Sequence, residues 1–155
     1  MGGYSPGQCT VYCMTQLELT DKEETAQVSI YTDGSKTEHH VWAGMAAVKN
    51  SREIYIETQR LDTECTVLQA ELRGIGIAVE WIRKQGMKSA SYAINADSKA
   101  ALIAIANRQS THPLVVDASR KTSELRTATS ITYHWIRGHT QVWKGLRGQI
   151  TWPVQ

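Results

Sequence analysis

The chain lacks any apolar run of membrane-spanning length, and its N-terminus has no basic segment leading into an apolar one. A spanning helix and a secretory signal are therefore not expected, and the reading is of an intracellular protein, nucleus and cytoplasm being equally open. No cluster of Lys and Arg marks an electrostatic footprint, and the formal charge of +2 permits nucleic-acid binding without arguing for it. The three cysteines, Cys9, Cys13 and Cys65, are too few and too odd in number for a disulfide framework. Cys9 and Cys13 also lack the second Cys/His pair that a zinc site needs, so all three read as reduced thiols. Internal repeats and low-complexity stretches are absent as well. What is present is ordinary for one globular domain: 155 residues, 41% of them apolar and 21% charged.

Residues 1–27 mix Gly, Ser, Pro, Thr and acidic residues with no sustained period, which predicts a poorly ordered linker. The first clear strand is Val28-Ser29-Ile30-Tyr31-Thr32-Asp33, with Val28, Ile30 and Thr32 alternating against the other three. Gly34-Ser35 then reads as a turn that leaves Asp33 at a strand exit. Such a carboxylate is suited to a hard cation, although Asp-Gly is also the commonest turn dipeptide. Trp42 to Val48 and Ile54 to Leu61 predict two more strands joined by a turn at Lys49-Asn50-Ser51-Arg52, an antiparallel meander whose last strand is solvated on one face.

A long helix is predicted from Thr63 to Gln85, with Asp62 or Thr63 as N-cap and Gly86 as the stop. Its apolar stripe runs Val67, Leu68, Ile75, Ala78, Ile82, and Glu71 stands in the middle of it. A carboxylate turned toward a sheet costs roughly several kcal/mol unpaired, so it needs a metal, a cation or a raised pKa as explanation. Ala90 to Ala96 predicts a fourth strand ending at Asp97-Ser98, where either residue could simply cap the helix Lys99 to Asn107. Pro113 opens a further helix to about Arg126, and Ile131 to Ile136 makes a fifth strand leading into Arg137-Gly138-His139-Thr140. Asp33, Glu71 and Asp97 thus occupy comparable positions, and together they suggest a shared cation site.

Four ordered motifs carry a resemblance: Tyr-Thr-Asp-Gly-Ser at 31–35, Gln-Ala-Glu-Leu at 69–72, Ala-Asp-Ser-Lys-Ala-Ala-Leu at 96–102 and Trp-Ile-Arg-Gly-His-Thr at 135–140. With this spacing, residues 28–140 resemble a ribonuclease H type 1 domain, of the kind found behind the reverse transcriptase in non-long-terminal-repeat retrotransposon polyproteins. The resemblance implies an α/β fold with a five-stranded mixed sheet in the order 3-2-1-4-5 and helices on both faces. It implies hydrolysis of the RNA strand of an RNA/DNA hybrid by a monomer with two Mg2+ ions, for which Mn2+ substitutes. Asp33 would touch both ions, Glu71 and Asp97 would each hold one, and His139 matches the family's mobile histidine. Gly34, Ser35, Ser98 and Lys99 fall where the family meets its substrate. Where cellular relatives often place Asn and Gln for groove contacts, this chain has Val67 and Lys99, and the loop Asn107 to His112 is too short for a basic protrusion.

The family ends on a fourth carboxylate about ten residues after the histidine, and this chain has no Asp or Glu after Glu124. Residues 141–155 can nevertheless be back-translated so that removing one CA pair after the codons of His139-Thr140 yields Gly-Leu-Glu-Gly-Thr-Glu-Arg-Ala-Asp-Tyr-Leu-Ala-Arg, the family's ending. The tail therefore reads as out-of-frame translation after a dinucleotide gain, with the terminal helix and the fourth ligand lost together.

Overall fold

The computed structural model describes residues 9–13, 26–86, 90–125 and 129–136. Six strands, β1 (Cys9–Cys13), β2 (Val28–Lys36), β3 (Val41–Lys49), β4 (Arg52–Leu61), β5 (Ala90–Ala96) and β6 (Thr129–Trp135), form one sheet in the order β1-β6-β5-β2-β3-β4. The meander β2-β3-β4 is antiparallel, and β5, β6 and β1 join it as parallel strands. Counted from Val28, the five central strands run 3-2-1-4-5, as the resemblance implied.

The sixth strand corrects the expectation that residues 1–27 are only a linker. Cys9-Thr10-Val11-Tyr12-Cys13 is a β-branched and aromatic run, and it pairs in register with Ile131–Trp135 of β6. The β2–β3 connection also differs from expectation. Gly34 and Ser35 do not turn: β2 continues through them to Lys36, opposite Ala43, Trp42 and Val41. The chain reverses only at Thr37–His40, where the Thr37 N–H donates to the His40 carbonyl at 2.8 Å. The β3–β4 turn is where the sequence put it, with Asn50 and Ser51 both at positive φ, 53° and 61°, as a two-residue hairpin with the right twist requires.

Helix α1 (Val67–Gln85) begins four residues later than predicted. Asp62 is spent on a tight turn, its Oδ1 accepting from the Glu64 N–H at 2.8 Å. Thr66 and Gln69 then form a reciprocal capping box, each side chain accepting from the other's backbone N–H. Val67 and Leu68, expected in the apolar stripe, are exposed in the first turn of α1, while Leu72, Ile75, Ala78, Val79 and Ile82 enter the core. Gly86 ends the helix in the left-handed conformation, as expected. Helix α2 (Lys99–Ala106) follows β5, and α3 (Pro113–Ser123) carries Pro113 in its first turn.

The three helices contact one another on one face of the sheet. Val28 and Ile30 of β2, Ala43, Met45 and Ala47 of β3, Tyr92 and Ile94 of β5 and Ile131 and Tyr133 of β6 meet them in the core. A helix on the opposite face, and the loss of the terminal one, concern residues outside those described. No helix among the described residues is long and apolar enough to cross a membrane.

Candidate active site

Three elements bring one carboxylate each to the same end of the sheet. Asp33 lies on β2 just beyond the last β2–β5 pair, Thr32↔Ala96, so it stands where the parallel pairing stops. Asp97 directly follows β5. Its alternative use as a helix cap is excluded, because Ser98 is the N-cap of α2 and accepts from the Ala101 N–H at 3.1 Å. Glu71, in the first turns of α1, completes the group. Each residue offers a carboxylate oxygen, and those oxygens all lie within 4.8 Å of one another.

Two glycines set that distance. A Cβ on Gly34 would lie 2.5 Å from the Glu71 backbone nitrogen and 2.6 Å from the Ala70 carbonyl carbon. One on Gly74 would lie 3.0 Å from the Asp33 carbonyl oxygen and 3.1 Å from that of Gly44. The helix can therefore sit directly on the β2 and β3 backbones, and this approach carries Glu71 to Asp33. The Gly after Asp33 serves helix packing, where the sequence pattern suggested a turn.

Asp33 and Glu71 are 7% and 6% exposed, and Asp97 is half-buried. Like charges separated by about 5 Å repel by roughly 3 kcal/mol per pair at an effective dielectric constant near 20. Three hard oxygen donors held this close suit a divalent cation. The donor set fits Mg2+ or Mn2+ and offers no sulfur or imidazole for a softer metal.

The last strand buttresses Asp97. Trp135 donates its indole Nε1–H to the Asp97 carbonyl oxygen at 3.2 Å, and the Ile136 N–H donates to the Ala96 carbonyl at 2.9 Å. Lys99, exposed at the start of α2, places its Nζ 5.2 Å from the Trp135 ring centroid. Trp135 and Gly74 are the residues that sequence reasoning missed as site-builders. A glycine three residues after a buried helix carboxylate was the available signal for Gly74; Trp135 opens the fourth motif, but nothing in the sequence pattern ties its indole to Asp97.

The remaining expected site residues divide. Gly34 and Ser35 are half-buried beside Asp33, Ser98 caps α2 and Lys99 is exposed next to it. His139 lies outside the described residues.

No protein-family model matches the chain, and no curated protein matches it. Solved structures do. The N-terminal RNase H domain of a Mycobacterium tuberculosis protein, solved as a fusion with maltose binding protein, aligns with a TM-score of 0.62 and 23% identity over 76% of this chain and 87% of that one. RNase H1 from the halophilic archaeon Halobacterium salinarum aligns with a TM-score of 0.55 and 16% identity over 71% and 85%. The chain has the ribonuclease H fold. Within that fold, Asp33, Glu71 and Asp97 gather at the ends of the two central parallel strands β2 and β5, where open α/β sheets commonly bind their ligands.

Proposed function

We propose that this chain is a metal-dependent endonuclease that hydrolyses the RNA strand of RNA/DNA hybrids. The observation that carries the reading is the meeting of Asp33, Glu71 and Asp97 within 4.8 Å on a ribonuclease H fold. Asp33, between the other two elements, would hold both of two Mg2+ or Mn2+ ions, with Glu71 and Asp97 holding one each. When bound, paired divalent ions supply an activated water and stabilise the leaving 3′ oxygen. The chain's own contribution is to fix three carboxylates on rigid elements, so that the oxygen donors for this chemistry are positioned before substrate arrives.

Substrate contacts follow from the same end of the sheet. Beyond Thr32, β2 has lost its β5 neighbour while β3 still pairs with it. One of Gly34 and Ser35 therefore turns its backbone N–H and C=O away from β3, toward the space that β5 has vacated. Such a donor suits the 2′-hydroxyl that distinguishes RNA from DNA. Ser98 retains its O–H donor while capping α2, and Lys99 offers a cation to a phosphate. His139 would assist water activation or product release.

The domain is read as residues 28–140 with the strand Cys9–Cys13 added to its sheet, the chain before it leading to an upstream reverse transcriptase in a retrotransposon polyprotein and 141–155 being an out-of-frame tail. The absence of any Asp or Glu after Glu124 favours a second reading, a catalytically inactive retroelement remnant that at most binds nucleic acid. A labelled hybrid incubated with Mg2+ and the full chain separates the two. Cleavage confined to the RNA strand and abolished in Asp33→Asn supports the nuclease, and intact hybrid at every Mg2+ concentration supports the remnant.

A further inference from the structure

Gly76 lies in the interior of α1, where glycine is unfavourable relative to alanine, and packing does not account for it. Gly74 is needed for the approach to β2 and β3, but a Cβ on Gly76 would meet nothing within 4 Å. The space it leaves belongs to a cavity of about 260 Å³ between α1 and β4. That cavity exists because α1 lies over β2 and β3 and stops short of the edge strand β4. It is on the flank of α1 away from the acidic cluster, since Arg73 is turned roughly 200° around the helix from Glu71.

The β4 wall is built as a chain of contacts. Ile54 is bulged out of the ladder, so that Tyr55, Glu57 and Gln59 face the helix layer opposite Ala47, Met45 and Ala43. The ring of Tyr55 stacks on Trp81 of α1, with centroids 5.4 Å apart and planes at 18°. Its hydroxyl donates to Glu57 at 2.8 Å, Gln59 donates to the other Glu57 oxygen at 2.9 Å, and Arg73 Nε donates to Gln59 at 3.0 Å. Both carboxylates of the cavity are therefore engaged, Glu57 as described and Glu80 by Arg83, Lys84 and Lys121. Among the described residues Arg73 has no carboxylate partner, and its bond to Gln59 engages Nε and neither terminal nitrogen of the guanidinium.

We propose that this cavity binds a nucleotide, the base against the Tyr55–Trp81 pair and the phosphate on the Arg73 guanidinium. An aromatic pair and an open guanidinium fork lie eight helical residues apart, about 12 Å along the axis. A ligand carrying both a flat ring and an anion matches that pairing. The volume is slightly below the ~300 Å³ at which pockets for drug-sized ligands begin, which limits the occupant to one nucleotide. It is either a free mononucleotide or one residue of a single strand. The proposal does not rest on the nuclease reading.

Fluorescence anisotropy of a short labelled single-stranded oligonucleotide, titrated with the full chain in EDTA, tests it. Gly76→Leu fills the cavity from a position where the added Cβ meets open space, so its thermal melt stays at or above wild type. We expect it to bind the oligonucleotide at least about tenfold more weakly, the scale of one base stack. Displacement of the oligonucleotide by AMP assigns the site to a free nucleotide, and failure of AMP to compete assigns it to the strand; either outcome upholds the proposal. Equal binding by wild type and Gly76→Leu, no binding by wild type, or displacement by polyglutamate overturns it, the last in favour of an acidic peptide. Should Gly76→Leu melt below wild type, Tyr55→Ala replaces it, and undiminished binding by that variant overturns the proposal equally.

Discussion

The indole nitrogen of Trp135 donates to the main-chain carbonyl of Asp97 at 3.2 Å, so β6 holds the residue that follows β5. Trp135→Phe keeps a ring beneath Lys99 and removes this one bond, whose net worth is about 1 kcal/mol. The expected outcome is a small loss of thermal stability with Mn2+ affinity reduced about tenfold, as for other residues that orient metal ligands. Isothermal titration beside a thermal melt checks it; unchanged Mn2+ affinity would show that Asp97 needs no such support.

Gly34 and Gly76 respond in opposite directions to the same substitution. Gly34→Ala drives a methyl into the α1 backbone at Ala70 and Glu71 and is expected to destabilise by about 1–3 kcal/mol. Gly76→Ala meets open space and gains up to about 1 kcal/mol from helix propensity. Urea unfolding of the two variants beside the wild type measures both.

The ion pairs within and between α1 and α3 predict acid sensitivity. The Arg83 hydrogen bond holds the Glu80 carboxyl below its ordinary value, against some desolvation and with help from Lys121. The Lys121 hydrogen bond does the same for Asp117, with Arg120 adding to it. A carboxyl lowered in the folded state contributes stability that is present above its unfolded pKa and lost as pH falls through the folded one. The melting temperature should therefore drop as pH falls below about 4, and Glu80→Gln should flatten part of that drop. Both carboxylates are partly exposed, which keeps the effect small.

The tail is tested at the level of the gene. The frame-slip reading requires codons after Thr140 that regenerate Gly-Leu-Glu-Gly-Thr-Glu-Arg-Ala-Asp on loss of one CA pair. Other codons contradict it. A chain with the frame restored regains a fourth carboxylate and is expected to cut hybrids faster than the present one at equal Mg2+.

How much of this was legible in the sequence depended on whether a residue's reason was local. Glu71 stood out because an α-helical period placed it among apolar neighbours, and it is buried as that period required. Asp33 and Asp97 were visible at strand ends, but only the structure shows that Ser98 does the capping and leaves Asp97 to the cluster. Gly34 was misread because Asp-Gly is a common turn pair, whereas its actual constraint is a helix some 40 residues later in the chain. The helix start was misplaced by the same competition between local patterns: Asp62 forms its own turn, and the capping box belongs to Thr66. The solvated side of β4 was assigned from alternation alone. The bulge at Ile54 resets that alternation and turns Tyr55, Glu57 and Gln59 toward the cavity beside α1. Strand β1 was hidden by its short length and by flanks rich in Gly, Pro and Thr.

The central claim is that Asp33, Glu71 and Asp97 act together as one cation site. Equilibrium binding of Mn2+ to the full chain, followed by electron paramagnetic resonance, tests it without requiring turnover. Saturable binding that is lost in Asp33→Asn and equally in Glu71→Gln, with both variants still folded by circular dichroism, is the predicted result. Mn2+ binding of undiminished affinity in either variant, or none in the wild type, would contradict it.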